Sequence, residues 1–378
     1  MGLDVHKRTV YITELDDDGN IMEQYEIGNN INELEQFRSR YIDLNPEIAL
    51  EVSTTGKYIA GKLRDMGFHV HLADPFKLSI IFKSSKKNDR EDSYKLAKLL
   101  RLNELPEVHL PSRESDQLRS LVRYRQSIGR DITMIKNRIH ALLSSHGMVI
   151  DASDIFGKKG ISQIYNASKL LPQSETMILS SMIERISSLR NTADSIEDQL
   201  SKMVTGNKDV ERIMTIPGIN IYSASVIISE IDGISRFSSK EKLASYAGLV
   251  PRQDQSGSHD IKGHITKRGS SILRFVMINA AHSVIKYSKR MRSKYLGMVR
   301  RIGKNRSVVA IGRILLETIY VMLKKNVDFI DQIDSLTERK IRSMHERAVK
   351  KSDVKDMEEV IKLIRMNKIR EKSGELFS

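Results

Sequence analysis

The sequence predicts an α/β domain followed by a mainly all-α region. Short β-branched stretches alternate with helical segments through roughly the first hundred residues, a pattern typical of an α/β layer domain. Two long runs of heptad-spaced apolar residues come next, and further apolar helical segments follow them. We therefore expect four parts: an α/β domain at 1–105, a helical arm at 106–206, a helical C-terminal domain at 207–326 and a charged tail at 327–378. We interpret the tail as exposed helix or partly disordered.

The elements of the first domain are predicted from strand and turn composition. Residues 2–13 are expected to form one strand, the cluster Asp16-Asp17-Asp18-Gly19-Asn20 a turn, and residues 21–27 the next strand of a hairpin. Asn30 is a suitable N-cap for a helix that runs to about Tyr41. The remaining predictions are a buried strand at 47–52, a helix at about 57–66, a strand at 69–72 and a helix at about 89–102.

The helical arm is predicted from heptad spacing. Its two seams are Leu121, Ile128, Ile132, Ile135, Ile139 and Leu142, then Leu179, Met182, Ile186, Leu189, Ala193, Ile196, Leu200 and Met203. Arg125 interrupts the first seam. We favour an antiparallel helical hairpin or a coiled-coil dimer arm, and the alternative is an ordinary helix pair packed on a domain core. Arg119 and Arg123 lie off the seam as candidate phosphate contacts, although such charges are commonly just a solvated face.

Composition narrows the class of partner and compartment. Lys and Arg exceed Asp and Glu by 62 to 48, and the net charge of +14 favours a polyanionic partner such as nucleic acid. The chain has no Cys, which excludes disulfides, Cys-ligated zinc and thiol catalysis. We see no signal-peptide core and no run of roughly 18–20 apolar residues that would span a bilayer. We therefore expect a cytoplasmic protein without a membrane partner.

Four carboxylates stand out by their positions. Asp4 lies in the first strand, Glu51 at the end of a buried strand, and Asp89 and Asp92 in the first turn of a helix. A carboxylate in an apolar strand is costly unless something pairs with it, and hard oxygen ligands suit Mg²⁺ or Mn²⁺. Four such carboxylates, if they cluster, can hold divalent cations for phosphodiester chemistry, but their spacing alone does not favour a metal site over the alternative. The alternative is that Asp89 is only an N-cap, while Glu51 and Asp92 face water.

The motifs around these acids resemble those of the DEDD transposases of insertion-sequence family one hundred and ten, which includes the Piv invertase and recombinases guided by a bridge RNA. The matching runs are Gly2-Leu3-Asp4-Val5-His6-Lys7, Leu50-Glu51-Val52-Ser53-Thr54-Thr55-Gly56 and Asn88-Asp89-Arg90-Glu91-Asp92-Ser93-Tyr94-Lys95-Leu96-Ala97. The resemblance implies an RNase H-like (RuvC-like) fold for the first domain, a catalytic and metal-binding role for the four acids, and dependence on Mg²⁺ or Mn²⁺.

The C-terminal region resembles the second domain of the same family. Its matching runs are Ile213-Met214-Thr215-Ile216-Pro217-Gly218-Ile219, which looks like a helix-hairpin-helix, then Ala247-Gly248-Leu249-Val250-Pro251, Ser256-Gly257 and Gly263-His264-Ile265-Thr266-Lys267-Arg268-Gly269-Ser270-Ser271-Ile272-Leu273-Arg274. By motif position the family's nucleophilic serine maps to Ser256, with Ser258, Ser270 and Ser271 as competitors. The expected nucleic-acid contacts here are Pro217, Gly218, Lys262, Lys267, Arg268 and Arg274.

The resemblance implies a transposase that cuts and rejoins DNA to mobilise an insertion sequence. Its expected partners are DNA, a structured bridge RNA that selects the sites, and further copies of this chain in a dimer or tetramer. The alternatives are a site-specific invertase of the same family, a structure-specific junction nuclease that needs no serine, and a non-catalytic nucleic-acid-binding scaffold.

Overall fold

The computed structural model describes residues 1–82, 88–150, 158–256 and 259–349, with the backbone alone at 158–159, 161–162, 165, 252–256 and 259–264. The chain divides into two compact units, Met1–Pro111 and a second that begins at Ser112. The first unit is mixed α/β and the described part of the second is mostly helical, which confirms the predicted fold class at that level. Within the described ranges, no helix is both long and apolar enough to cross a lipid bilayer.

The described part of the first unit is built on one six-stranded sheet with the order β3-β2-β1-β4-β5-β6. Its strands are β1 Gly2–Val5, β2 Thr9–Leu15, β3 Ile21–Gly28, β4 Glu47–Glu51, β5 His69–Ala73 and β6 Glu107–Val108. The first three strands form an antiparallel meander, while β1, β4 and β5 are parallel and β6 is antiparallel to β5. Short β1 therefore lies in the middle of the sheet.

Helices cover both faces of this sheet. They are α1 Ile31–Tyr41, α2 Thr54–Asp65, α3 Pro75–Ile81 and α4 Asp89–Arg101. Leu3 and Leu50 face one core together with residues of α1 and α2. Ala49 faces the other core, where it meets Leu96 of α4. Because side chains alternate along a strand, successive residues of β1, and likewise of β4, face different helices.

Two details of the first unit differ from the sequence prediction. The single strand predicted at 2–13 is wrong, because the chain reverses at His6-Lys7-Arg8, where the His6 N–H donates to the Thr9 carbonyl over 2.9 Å. Its two halves then pair with each other as antiparallel β1 and β2. Helix α3 was not predicted, although Asp74 caps it and Pro75 occupies its first turn.

The second unit begins with two long helices and continues with shorter ones. Its elements are α5 Arg113–Ser145, α6 Lys158–Ser168, α7 Gln173–Val204, α8 Lys208–Met214, α9 Ile221–Ile231, α10 Lys240–Tyr246, β7 Pro251–Ser256, β8 His259–Ile265, α11 Ser271–Tyr287, α12 Lys289–Ile302, α13 Lys304–Lys325 and α14 Asp334–Val349. The strands β7 and β8 form an antiparallel hairpin between α10 and α11.

The two long helices form an antiparallel pair within one chain. Arg125 of α5 binds Glu197 of α7 over 2.9 Å, and His146 near the end of α5 binds Glu175 near the start of α7. Much of the predicted seam is buried, namely Ile128, Ile135, Ile139, Leu179, Ile186, Ala193, Ile196 and Leu200. The distal halves form a separate cluster with α6, whereas the proximal halves belong to the main helical core. The pair is thus a helical hairpin whose base also packs as part of the core.

Part of the predicted charged tail is packed rather than exposed. Residues 334–349 form α14, and its Met344 is 1% exposed in the main core. Phe329, which precedes this helix, is 5% exposed in the same core. The many charged residues at 327–349 led us to predict an exposed segment. A largely polar helix can nevertheless pack on a core through one apolar face.

Candidate acidic site and nucleic-acid interface

A glycine brings helix α4 directly onto strand β1. A Cβ at Gly2 would lie 2.0 Å from the Ser93 carbonyl oxygen and 2.4 Å from the Ala97 nitrogen, both in the α4 backbone. Asp4 lies two residues further along the strand, so its side chain leaves the sheet on the same face. The first turn of α4, which carries Asp89 and Asp92, is thereby placed beside Asp4.

A buried relay of hydrogen bonds fixes α4 on the sheet. Gln24 of β3 donates to the Thr13 hydroxyl over 2.9 Å, and Thr13 lies 2.7 Å from the Ser93 hydroxyl. Ser93 in turn donates to the Arg90 carbonyl over 3.1 Å. Thr13 and Ser93 are both fully buried. Because unmade hydrogen bonds of buried hydroxyls are costly, this relay favours one position of the helix.

Asp4 and Asp89 converge on one histidine. The His6 Nε2 atom is 3.2 Å from Asp4 Oδ2 and 3.3 Å from Asp89 Oδ1. One ligand atom from each of the three residues lies within 4.8 Å of the others. Two carboxylates and an imidazole at this separation can bind a divalent cation, because they supply hard oxygen donors and one nitrogen.

The electrostatics of this cluster show carboxylates that repel one another. Burial raises the pKa of Asp4, and the negative charges of Asp89 and Asp92 raise it further, while His6 opposes them. Burial on its own would lower the pKa of His6, but Asp4 and Asp89 outweigh it and raise that pKa. A positive charge between the carboxylates is therefore favoured, which is the condition that a divalent cation meets.

The other two predicted acids lie close in the fold but outside this three-residue cluster. Leu3 of β1 is in register with Leu50 of β4, so Asp4 and Glu51 are the next residues of two adjacent parallel strands. Glu51 is exposed at the end of its strand. Asp92 binds the Lys95 ammonium through Oδ1 over 3.1 Å and contributes to the field at Asp4.

His6 and Lys95 are the residues of this site that the sequence analysis missed. His6 follows Asp4 by two residues, and this spacing on an extended chain puts two side chains on one face. Lys95 follows Asp92 by three residues on α4, which also puts the pair on one face. Both spacings are visible in the sequence, but neither is specific enough to be singled out.

The predicted serines have different surroundings. Ser256 ends β7 in register with His259, and its side chain lies outside the described atoms, as does that of Lys262. Ser258 lies outside the described residues. Ser270 caps α11, because its side chain accepts from the Leu273 N–H over 3.2 Å. Ser271 is the first residue of that helix.

The two C-terminal motifs pack against each other. A Cβ at Gly269, where φ is +106°, would lie 1.9 Å from the Tyr246 carbonyl oxygen. Arg274 donates through Nη1 to the Ala247 carbonyl over 2.9 Å, and burial lowers its pKa. Arg274 thus ties the motifs together, while Lys267 and Arg268 beside it are exposed.

One predicted phosphate contact is wrong. Arg119 is 8% exposed, and it donates to the carbonyls of Ser229 over 2.8 Å and Glu230 over 3.3 Å. These carbonyls belong to the last turn of α9, where free carbonyl groups need donors. Arg123 remains half exposed, and its Nη2 lies 3.0 Å from Glu230 Oε1. The heptad pattern could not distinguish a helix-capping arginine from a surface one.

A basic groove runs along α5 beside the start of α11. It consists of two cavities of about 960 and 540 Å³ that share Gln126, Arg130 and Ser271. Its cationic lining is Arg123, Arg125, Arg130 and Arg138, and Phe275 adds an exposed ring. The N-terminus of a helix favours anions, so the start of α11 adds to the attraction of this groove for phosphate.

The residues predicted as a helix-hairpin-helix form the two helices α8 and α9 and the turn between them. Pro217 is buried in the intervening turn, whereas Gly218 is exposed with φ of +86°. Asn220 caps α9 by accepting from the Ser223 N–H over 3.0 Å. The turn therefore presents Gly218 and Asn220 to solvent at the start of a helix.

Comparison with known proteins identifies the family. A model of DEDD transposases of the IS110 type matches residues 1–148, and the model described as transposase IS116/IS110/IS902 family matches residues 210–296. The chain belongs to the IS110-type insertion-sequence transposases. These matches include all of the first unit and, in the second unit, residues 112–148 and 210–296. DNA is the substrate class that membership of this family implies.

Named relatives of this transposase agree with the family. It is 26% identical to the transposase for insertion sequence element IS1111A of Coxiella burnetii, over 69% of this chain and 72% of the relative. It is 24% identical to a probable family 20 transposase of Pseudomonas aeruginosa, over 74% and 84% of the two chains. The pilin gene-inverting protein of Moraxella bovis is 29% identical over 38% of this chain and 48% of that protein.

Proposed function

We propose that this transposase cuts and rejoins DNA strands to mobilise an insertion sequence, with Asp4, Glu51, Asp89 and Asp92 as a catalytic site for Mg²⁺ or Mn²⁺. The observation that carries the proposal is the convergence of Asp4 and Asp89 on His6, with Asp92 raising the pKa of Asp4 from nearby. The sheet order, with β1 between antiparallel β2 and parallel β4, is consistent with the RNase H-like fold that the resemblance implies.

Each group of residues has its own task in this proposal. A bound divalent cation would stabilise charge on the attacking and leaving oxygens of a phosphodiester. The carboxylates would hold it, and His6 would change the net charge of the site by gaining or losing a proton on its imidazole. Ser256 would attack phosphorus through Oγ and lose its proton, while the bond to the departing strand breaks and that oxygen takes up a proton. The resulting phosphoserine would hold one strand end until rejoining reverses the step.

The basic groove supports a nucleic-acid partner for the second unit. Arg123, Arg130 and Arg138 neutralise phosphates without reading base sequence, which is compatible with a bridge RNA that selects sites by base pairing. We also propose that this transposase binds such an RNA and that it forms a homo-oligomer. Oligomerisation is supported by Met177 and Ile178 of α7, which are 76% and 51% exposed.

Metal binding and strand cleavage test the acidic site separately. We expect Asp4→Asn and Asp89→Asn to weaken Mn²⁺ binding in calorimetry and to abolish cleavage of DNA carrying the element's ends. Asp43→Asn is the matched control, because Asp43 is an exposed acid of the same unit. Ser256→Ala should bind Mn²⁺ normally and lose strand exchange. Unchanged Mn²⁺ binding by both acidic-site variants would remove the proposed chemistry.

Site-specific inversion is the second candidate, and the Moraxella bovis relative favours it. An invertase would flip a segment between two sites on one plasmid and leave a second plasmid unchanged. A transposase would deliver the element's ends into that second plasmid. Sequencing the products from a reaction that contains both plasmids distinguishes the two activities.

A further inference from the structure

Lys340 of α14 places its ammonium group at the turn between α8 and α9, residues 215–220, here called the hairpin turn. Its Nζ atom donates to the carbonyl of Met214, to that of Ile216 over 3.0 Å and to that of Ile219 over 3.1 Å. An ammonium group has three N–H donors, so these three carbonyls satisfy all of them. Burial lowers the pKa of Lys340 to about 8, so the group remains mostly charged at neutral pH.

Other contacts fix the helix that carries this lysine. Met344, one turn further along α14, is buried in the main core. Arg347 donates through Nη1 to Asp198 Oδ1 of α7 over 2.8 Å. Before the helix, the Phe329 N–H donates to the Thr215 hydroxyl of the hairpin turn over 3.0 Å. Lys340 is therefore held at the turn by the packing of its whole segment.

One of the three carbonyls belongs to the last residue of α8, and the other two belong to the hairpin turn. Met214 ends α8, where carbonyls lack partners within the helix, and Ile219 immediately precedes the cap residue of α9. A lysine that only capped α8 would bind carbonyls of that helix alone. Converging backbone carbonyls can replace the hydration shell of a monovalent metal ion.

We propose that these three carbonyls form a monovalent-cation site, of the K⁺ or Na⁺ class, which this chain fills with the ammonium of Lys340. The lysine acts as a tethered cation that closes the hairpin turn without a dissolved ion. This role is separate from the DNA chemistry proposed above, and it belongs to a segment that the sequence predicted to be a charged tail.

Two substitutions and one control test this site by melting temperature in KCl, NaCl and choline chloride at one ionic strength. Wild type and Lys325→Ala, which removes an exposed lysine, should melt at the same temperature in all three salts. Lys340→Ala should melt about 5 °C lower in choline chloride and recover in KCl or NaCl, because the vacated space admits the ion. Lys340→Met should stay low in all three salts, because its apolar chain occupies that space.

Two results would overturn the proposal. One is a melting temperature for Lys340→Ala that does not depend on the cation, or that equals the wild-type value in choline chloride. The other comes from the wild-type protein and does not require a folded variant. Lys340 should react with an amine-acylating reagent at least about tenfold more slowly than exposed Lys324 and Lys325, as read by mass spectrometry. Equal rates would show that its ammonium is not held by the carbonyls.

Discussion

Replacing Gly2 with Ala should move α4, which carries Asp89 and Asp92, away from Asp4 on β1 without altering any of these acids. The new Cβ would lie 2.0 Å from the Ser93 oxygen, whereas ordinary contacts begin near 3.4 Å. Because the opposing atoms are helix backbone, α4 has to move outward by more than about 1 Å. A displacement of about 1 Å between reacting groups can reduce a rate about 100-fold. Overpacking should also cost about 1–3 kcal/mol of unfolding free energy.

The assay is the rate of Mn²⁺-dependent strand cleavage. Thermal unfolding is measured on the same samples, so that the cleavage rates of wild type and variant are compared at a temperature where both proteins are folded. Gly61→Ala in α2 is the matched control, because a Cβ there meets nothing within 4 Å. That change should leave cleavage unaltered and raise stability by up to about 1 kcal/mol, since Ala is the better helix former. A Gly2→Ala protein that cleaves at the wild-type rate would refute the link between this contact and the acids.

Two further predictions concern stability and assembly. His71 donates to Glu107 Oε1 over 2.6 Å and also to Glu47; burial would lower its pKa, but these partners raise it above 6.5. The contribution of His71 to the free energy of unfolding is therefore present below about pH 6.5 and lost as the pH rises through the folded pKa. In denaturant titrations, the difference in unfolding free energy between wild type and His71→Gln should narrow between about pH 6 and pH 9. A difference that stays constant over this range would contradict the prediction. Changing Met177 and Ile178 together to Ser should lower the mass of the proposed homo-oligomer in light scattering, and an unchanged mass would exclude this surface as an interface.

Long periodic patterns were the part of the fold that could be predicted well. The seam positions Ile128, Ile135 and Leu200 are buried as expected, because a helix of about thirty residues repeats its signal many times. The break between β1 and β2 was missed, because three residues of reversal give too short a pattern. Periodicity also shows which face is apolar but not what covers it, so the packing of α14 could not be predicted.

The acids could be identified from the sequence as candidate site residues, because burying a carboxylate in an apolar strand costs free energy. Asp4 and Asp89 do meet, but through His6, whose position depends on the chain reversal after β1. The role of Arg119 depends on which carbonyls lie opposite it, and these are more than a hundred residues away. Such contacts are set by tertiary structure, and residue type and spacing do not contain them.

The hydrogen bonds from Gln24 through Thr13 to Ser93 connect an outermost described strand of the sheet with α4. Gln24 lies on β3, at one end of the sheet, and it bonds the helix that carries Asp89 both through Thr13 and directly at Arg90. A strand at the edge of a sheet can pair with another chain. We therefore expect a molecule that pairs with β3 to shift or hold the helix that carries Asp89 and Asp92 without contacting either carboxylate.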